Sequence, residues 1–208
     1  MTEDLILYTA EDHVATITFN RPENQNTISG PMLAKLSQLL IESDADEEIR
    51  AIVITGTGKF FCAGLDLRGS DITDNLTKEN KKPANLDLRN TPPTVLHNLD
   101  TPTIAAINGS AAGYGMDLAL GCDIRIMTDG AKLAAAFTSR GVVPESGGTW
   151  ILPRLIGWSK ASEIIFTGKT LSAKESEDMG LVSKVVNSNE IYEEASVLAL
   201  SLIHISEP

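Results

Sequence analysis

The sequence is short of cysteine and of long apolar runs, and each shortage excludes a class of protein. Only two of the 208 residues are cysteines, Cys62 and Cys122, so a disulfide-held fold is excluded and both are expected as reduced thiols in the core. No apolar run approaches the roughly 18–20 residues that span a bilayer. Because the chain starts acidic and without arginine, unlike a secretory or organellar leader, we expect a cytoplasmic protein with no membrane partner.

Basic side chains are also in deficit, since 17 Lys and Arg stand against 28 Asp and Glu, a net charge of -11. This balance disfavours a broad surface for nucleic acid, and any anionic ligand must be held locally. The length and the 42% hydrophobic content suit one globular domain with a full core.

Two phosphate-binding motifs fail at single positions. Gly56–Lys59 begins like a phosphate-binding loop, but Phe60 stands where Ser or Thr is required. Gly113-Tyr-Gly115 begins like a dinucleotide fingerprint, but Leu118 stands at the third glycine. Neither motif predicts a nucleotide cofactor.

Serine hydrolase and metal chemistry find equally little support. Ser110 and Ser146 lack the glycine frame of a nucleophile elbow, and His97 is the one histidine in a plausible region. The His, Cys and carboxylate residues show no metal-ligand spacing, so we expect no metal site.

Hydrophobic patterns predict alternating strands and helices. Ala15, Ile17 and Phe19 alternate with polar residues, and leucines between Ser29 and Glu47 recur at helical spacing. Continuous apolar runs, such as 51–55, are typical of parallel strands buried on both faces. The predicted strands are 15–19, 51–55, 103–107, 123–127, 132–137 and 181–186. The predicted helices are 29–47, 91–100, 114–120, 150–156, 161–166, 173–179 and 190 onward. The polar segment 69–90 is expected to be a mobile loop, with a lid as one role.

Two glycine motifs follow buried strands and carry the functional signal. The first is Phe60-Phe-Cys-Ala-Gly-Leu-Asp-Leu67, and the second is Asn108-Gly-Ser-Ala-Ala-Gly-Tyr-Gly-Met-Asp117. Glycine lets the backbone approach a ligand closely with its N–H groups unblocked. Two such turns can aim two main-chain donors at one oxygen, which is how an oxyanion hole is built.

Two carboxylates accompany these motifs. Asp117 falls in the first turn of a predicted helix, and Glu145 lies in Pro144-Glu-Ser-Gly147. Acids at helix starts often only stabilise the helix dipole. From the residues alone, a structural role and a proton-transfer role remain open for both.

These motifs, together with Asn20-Arg-Pro22, Gly141–Thr149 and Ala173–Val182, resemble the crotonase superfamily, the enoyl-CoA hydratase/isomerase family, over roughly Leu5 to Asn189. The resemblance implies an α/β, crotonase-like spiral of ββα units. It also implies an acyl-CoA substrate, no cofactor other than the coenzyme A of that substrate, and assembly as a homotrimer or hexamer.

The resemblance also assigns roles to residues. The backbone N–H groups of Leu65 and Tyr114 would form the oxyanion hole. The residues placed at coenzyme A are Arg21, Ala63, Gly64, Asp66 and Leu67.

The reaction follows from which acids are present. Hydratases of this family use two glutamates, at the positions of Asp117 and Phe137, and phenylalanine cannot carry a proton. Family isomerases place their acid–base residue at the position of Glu145. The resemblance therefore favours double-bond isomerisation with Glu145 as proton carrier and Asp117 as a second acid or an orienting group. The alternatives are a 2-enoyl-CoA hydratase, with both acids flanking the water, and a non-catalytic acyl-CoA-binding homologue.

The end of the chain departs from the family. Members continue as C-terminal helices that close the acyl pocket, so we expect that helical part to be largely missing here. Residues 1–199 are interpreted as the acyl-CoA-binding catalytic domain, and 200–208 as a suspected non-native tail that resembles translated adapter sequence.

Overall fold

The computed structural model describes residues 4–66, 91–144 and 146–205. This part of the chain contains two sheets and seven α-helices, with single 3-10 turns at Pro22–Asn24 and Thr138–Arg140. The strands are β1 Ile6–Glu11, β2 Val14–Phe19, β3 Ala51–Gly56, β4 Phe60–Cys62, β5 Thr103–Ile107, β6 Ser110–Ala112, β7 Ile124–Thr128, β8 Lys132–Ala134, β9 Thr170–Ser172 and β10 Lys184–Val186. The helices are α1 Gly30–Ala45, α2 Pro92–Asn98, α3 Tyr114–Gly121, α4 Gly148–Ile156, α5 Trp158–Thr167, α6 Ala173–Asp178 and α7 Ile191–Ile205.

The larger sheet has the strand order β1-β2-β3-β5-β7-β10. Only β1 and β2 pair antiparallel, and the other neighbours are parallel. All residues of β3 and β5 are buried, because α7 covers one face of the sheet and the main core, including α1, covers the other. The predicted doubly covered parallel strands are confirmed.

The smaller sheet places the two glycine motifs side by side. Its order is β4-β6-β8-β9, and β4 pairs parallel with β6, with Phe60 opposite Ser110. Parallel neighbours end at the same edge of a sheet. The chain segments that follow Cys62 and Ala112 therefore leave from neighbouring points.

Several predicted boundaries move. The strand predicted for 132–137 ends at Ala134, because the chain turns there, with the Ala136 N–H donating to the Ala134 carbonyl (2.9 Å). The strand predicted for 181–186 is shortened to Lys184–Val186. β1 was not predicted, since Ile6 is its only buried residue and no alternation marks it.

The last helix, α7, continues through the start of the suspected tail. Ile203 is buried in the cluster that α7 forms on the sheet with Val53, Ile104 and Ala199. Among the described helices, none is long and apolar enough to cross a membrane. The loop predicted at 69–90 lies outside the described residues.

Candidate active site

The first turn, Ala63–Asp66, follows β4 and is held to the start of α1. The Gly64 carbonyl accepts the Ile28 N–H (2.9 Å), and the Asp66 N–H donates to the Ile28 carbonyl (2.8 Å). The Gly64 carbonyl and the Leu65 N–H belong to one trans peptide and point in opposite directions. The Leu65 N–H is thus directed away from Ile28, and Leu65 is one of the residues that line a neighbouring pocket.

The second turn, Ala112–Tyr114, leads from β6 into α3. Gly113 has φ +52 and ψ -122, a conformation that favours glycine. Its N–H donates to the Ala134 carbonyl (2.9 Å). Tyr114 is the first residue of α3, and the first N–H groups of a helix point out of its positive end.

The two turns are in direct contact. Gly64 has φ +105, and a Cβ added to it would lie 3.1 Å from the Ala112 carbonyl oxygen and 3.8 Å from the Tyr114 nitrogen. A Cβ on Gly115 would overlap the carbonyl oxygen and the Cβ of Cys62. Glycine is therefore required where the backbones meet.

One pocket, which we call the donor pocket, is lined by residues of both turns. Leu65 and Tyr114, the two predicted oxyanion donors, both line it. Phe137 forms part of its wall and is 7% exposed. The pocket wall thus presents an apolar ring at position 137, where the sequence resemblance would place the second glutamate of a hydratase.

Two further pockets adjoin the donor pocket. A side pocket shares Tyr114 and is lined also by His97, Ser146 and Trp150. A groove runs between the 23–27 segment and the first turn and shares Ala63, Leu65, Ala112 and Arg140 with the donor pocket.

Asp117 lies in the first turn of α3 and is 2% exposed. The Ser146 hydroxyl donates to its carboxylate (2.5 Å), and so does the Gly148 N–H (3.2 Å). Gly148 begins α4, and a Cβ there would overlap the carboxylate. Asp117 thereby joins the start of α3 to the start of α4. In the sequence, α4 begins three residues after position 145. Glu145 itself lies outside the described residues.

The predicted coenzyme A residues fall into two groups. Ala63 and Asp66 line the groove, and Gly64 lines the donor pocket. The Arg21 guanidinium forms an ion pair with Asp66 (3.1 Å), and it also donates to the Thr27 carbonyl (2.8 Å). Leu67 lies outside the described residues.

Both predicted core thiols are buried and free. Burial raises the pKa of Cys62 to about 12 and that of Cys122 to about 12. Such thiols stay protonated near neutral pH and are poor nucleophiles. Cys62 therefore supports the turns rather than the chemistry.

Sequence reasoning missed a buried arginine that holds the far end of α3. Arg125 donates from Nε to the Leu181 carbonyl (2.6 Å) and from its guanidinium to the Leu120 (3.4 Å) and Cys122 carbonyls. Burial lowers the pKa of Arg125. A cation at a helix C-terminus satisfies carbonyls that lack helical partners, but no motif around Arg125 signals this role.

Asn26 was also missed. It is fully buried with φ +53. Its amide donates to the carbonyls of Thr57 (2.9 Å) and Phe60 (2.7 Å) and accepts the Arg21 N–H (2.8 Å). No prediction covered Asn26, although asparagine tolerates the left-handed conformation and is a usual hydrogen-bonding residue of tight turns.

A mixed α/β fold with two backbone turns over one pocket defines the class of protein, and comparison with known proteins identifies the family. The enoyl-CoA hydratase/isomerase family model matches residues 9–207. The chain is 41% identical over 201 residues to YngF of Bacillus subtilis (strain 168), a candidate enoyl-CoA hydratase/isomerase. The matched region covers 96% of this chain and 76% of that protein. It is 36% identical over 199 residues to the 1,2-epoxyphenylacetyl-CoA isomerase of Escherichia coli (strain K12), again covering 96% and 76%.

Solved structures similar to this chain indicate the same family as the sequence comparisons. The crystal structure of enoyl-CoA hydratase from Bacillus anthracis matches with a TM-score of 0.84 and 35% identity, covering 96% of this chain and 77% of that one. The chain belongs to the enoyl-CoA hydratase/isomerase family and has its crotonase-like fold. Both the resemblance and the fold class predicted from the sequence are confirmed.

Proposed function

We propose that the chain isomerises the double bond of an enoyl-CoA thioester through an enolate whose oxygen accepts hydrogen bonds from the Leu65 and Tyr114 N–H groups. The observation that supports this proposal is the contact of the two turns at Gly64, together with a pocket that both Leu65 and Tyr114 line. Fixed donors at a developing oxyanion are each worth about 3 kcal/mol, or 100-fold or more in rate.

In this mechanism the Glu145 carboxylate carries the proton. It takes a proton from C2 of a 3-enoyl-CoA, and the C–H electron pair moves into the thioester to give a dienolate. The same carboxyl group returns the proton to C4, which leaves the double bond between C2 and C3. No resident cofactor is required, since coenzyme A enters and leaves with the substrate.

Asp117 acts as the orienting group in this proposal. Its carboxylate accepts from Ser146 and from the first N–H of α4, and these contacts fix the chain on the C-terminal side of position 145. The apolar wall at Phe137 also supports isomerisation over hydration, because a phenyl ring cannot carry a proton.

The test is turnover of a 3-enoyl-CoA by the wild-type chain and by Glu145→Gln. Loss of a general acid–base group typically costs about 10²–10⁴-fold, and we expect a fall in kcat of that order. Glu163→Gln, an exposed acid on α5, serves as the matched control and should retain full activity. Undiminished kcat in Glu145→Gln would refute the assignment.

Hydration of a 2-enoyl-CoA is the second candidate, favoured by the similarity to the B. anthracis hydratase. Asp117 and Glu145 would then flank the attacking water. Loss of the near-ultraviolet absorbance of crotonyl-CoA would identify this reaction. A non-catalytic homologue would instead bind the thioester without turnover, and Asp117→Asn and Glu145→Gln would change nothing.

We also propose that the protein self-associates as a trimer or hexamer. Trp158 and Phe166 of α5 are 76% and 75% exposed in the single chain, and large apolar side chains so exposed suit an interface. Light scattering of the purified chain measures the assembly, and a strictly monomeric chain at all concentrations would count against it.

A further inference from the structure

The loop between β2 and α1, residues 21–28, holds the first turn in place. Ile28 exchanges two backbone hydrogen bonds with the turn, and the Ala63 N–H donates a third to the Gln25 carbonyl (3.1 Å). We call residues 21–28 the strap loop. Because the bond from Ile28 fixes one carbonyl of the turn, it also fixes the direction of the opposed N–H in the same peptide.

The strap loop is joined to the end of the first turn by an ion pair. Arg21 Nη2 lies 3.1 Å from Asp66 Oδ2, and the side chains are 14% and 12% exposed. The second terminal nitrogen of Arg21 donates to the Thr27 carbonyl (2.8 Å), inside the strap loop itself. A charge-assisted bond shielded from water is strong and is screened little by salt.

We propose that Arg21 and Asp66 are positioning residues: their ion pair clamps the strap loop onto the first turn and so holds the Leu65 N–H at the donor pocket. The inference rests on the proposed function, in which that N–H binds the enolate oxygen. In this proposal the two side chains position the turn. Coenzyme A instead contacts the backbone of the turn and the groove.

The contacts favour this role over direct coenzyme A binding by the Arg21 side chain. Both terminal nitrogens of its guanidinium are engaged, one by Asp66 and one by Thr27. The described walls of the groove and of the donor pocket are formed by other residues, including Asp66 in the groove and Leu65 in both. The Arg21 side chain is thus absent from the described linings of both pockets, and its terminal nitrogens are already bonded within the protein.

The experiment uses the 208-residue chain with Arg21→Met and Asp66→Asn. A misplaced oxyanion donor lowers kcat, so we expect kcat on a 3-enoyl-CoA to fall roughly 10- to 100-fold with KM changed less than about threefold. The bound enolate of a 3-oxoacyl-CoA, followed by its near-ultraviolet absorbance, should become less populated. Lys184→Met, which breaks the exposed Lys184–Glu194 pair (2.6 Å), should change neither.

A rise of about tenfold in KM with kcat unchanged would overturn the proposal, because it would show that Arg21 holds coenzyme A directly. Unchanged kcat and enolate population would overturn it as well. The double variant should lose no more than either single variant, since each removes the same pair.

Amide hydrogen exchange separates this proposal from the proposed function. If the wild-type chain turns over no thioester, the mechanism fails, yet exchange at Ala63 and Asp66 still tests the clamp. Faster exchange there in Arg21→Met, and not in Lys184→Met, supports it, and equal exchange overturns it. If Arg21→Met does not fold, Arg21→Lys replaces it, because lysine keeps the charge but lacks the two-pronged guanidinium.

Discussion

The first and second turns present main-chain groups to the same pocket but are held there in different ways. The first turn, Ala63–Asp66, depends on a distant loop, through backbone bonds and one ion pair. The second turn, Ala112–Tyr114, is held by strand pairing and by starting a helix, with glycine where it meets the first. We therefore expect the first turn to be destabilised when a supporting side chain is removed, and the second turn to be destabilised when a side chain is added.

The largest expected effect is the addition of a side chain at Gly115, the residue that directly follows the second turn. In Gly115→Ala the new Cβ would overlap the carbonyl oxygen and the Cβ of Cys62, and backbone cannot yield cheaply. Overpacking typically costs 1–3 kcal/mol and sometimes more, so we expect a loss of about 3 kcal/mol or more in the free energy of unfolding. Urea denaturation measures it.

Gly130→Ala is the matched control, because nothing lies within 4 Å of its added Cβ. We expect a change within about 0.5 kcal/mol there. Equal effects at both glycines would show that the two backbones are not in the close contact described.

The second largest effect is expected when the Asn26 side chain is removed from the strap loop. Asn26→Ala leaves the Arg21 N–H and the Thr57 carbonyl without the Asn26 amide, and the Phe60 carbonyl keeps only the longer bond from Asn108 (3.4 Å). Each unsatisfied buried group costs about 1–3 kcal/mol, reduced where the chain relaxes, so we expect about 2–4 kcal/mol in total.

Gln25→Ala provides the control for backbone strain, because Gln25 shares the left-handed conformation (φ 55) but is exposed. We expect less than about 1 kcal/mol there. If both variants lose the same free energy of unfolding, the amide of Asn26 contributes little. The first turn would then not depend on side chains of the strap loop, and the proposed difference between the two turns would be wrong.

The smallest effect concerns Cys62, which lies beneath both turns, and it appears only at high pH. Its thiol has an ordinary pKa of 9.0, raised by burial to about 12 in the folded chain. Between these values the folded state keeps a proton that the unfolded state loses, so stability falls as pH rises, by about 1.4 kcal/mol per pH unit.

Cys62→Ala should remove this slope relative to the wild type, while Cys122, whose pKa is also raised to about 12, supplies an equal one in both proteins. Denaturation at pH 8 to 11 measures the difference. Parallel curves would mean that the Cys62 thiol titrates as freely in the folded chain as in the unfolded one.

Much of the fold was predictable because its signals are local. The strands β2, β3 and β5 and the helices α1 and α3 lie where apolar period and glycine placed them. The short strands β4, β6 and β9 have three residues each, too few for any period, and are defined only by their partners. Two of them, β4 and β6, nevertheless set the two turns side by side.

The two turns of the site were predictable from the sequence, and the contacts that support them were not; Leu65 and Tyr114 as oxyanion donors stay a prediction. Gly64 and Gly113 are visible as glycine, whereas the Arg21–Asp66 pair joins residues 45 positions apart, and no local pattern encodes such a separation. The contact between Asp117 and Ser146 likewise depends on how α3 and α4 meet. Glu145 stays a prediction, as does the choice between isomerase and hydratase.

The central claim is that one thioester oxygen accepts hydrogen bonds from both turns. A crystal structure of the chain with a bound, unreactive acyl-CoA tests it most directly. We predict that the thioester oxygen lies about 2.7–3.1 Å from both the Leu65 and the Tyr114 nitrogen. An oxygen bonded to one turn alone, or a thioester bound outside the donor pocket, would contradict the account.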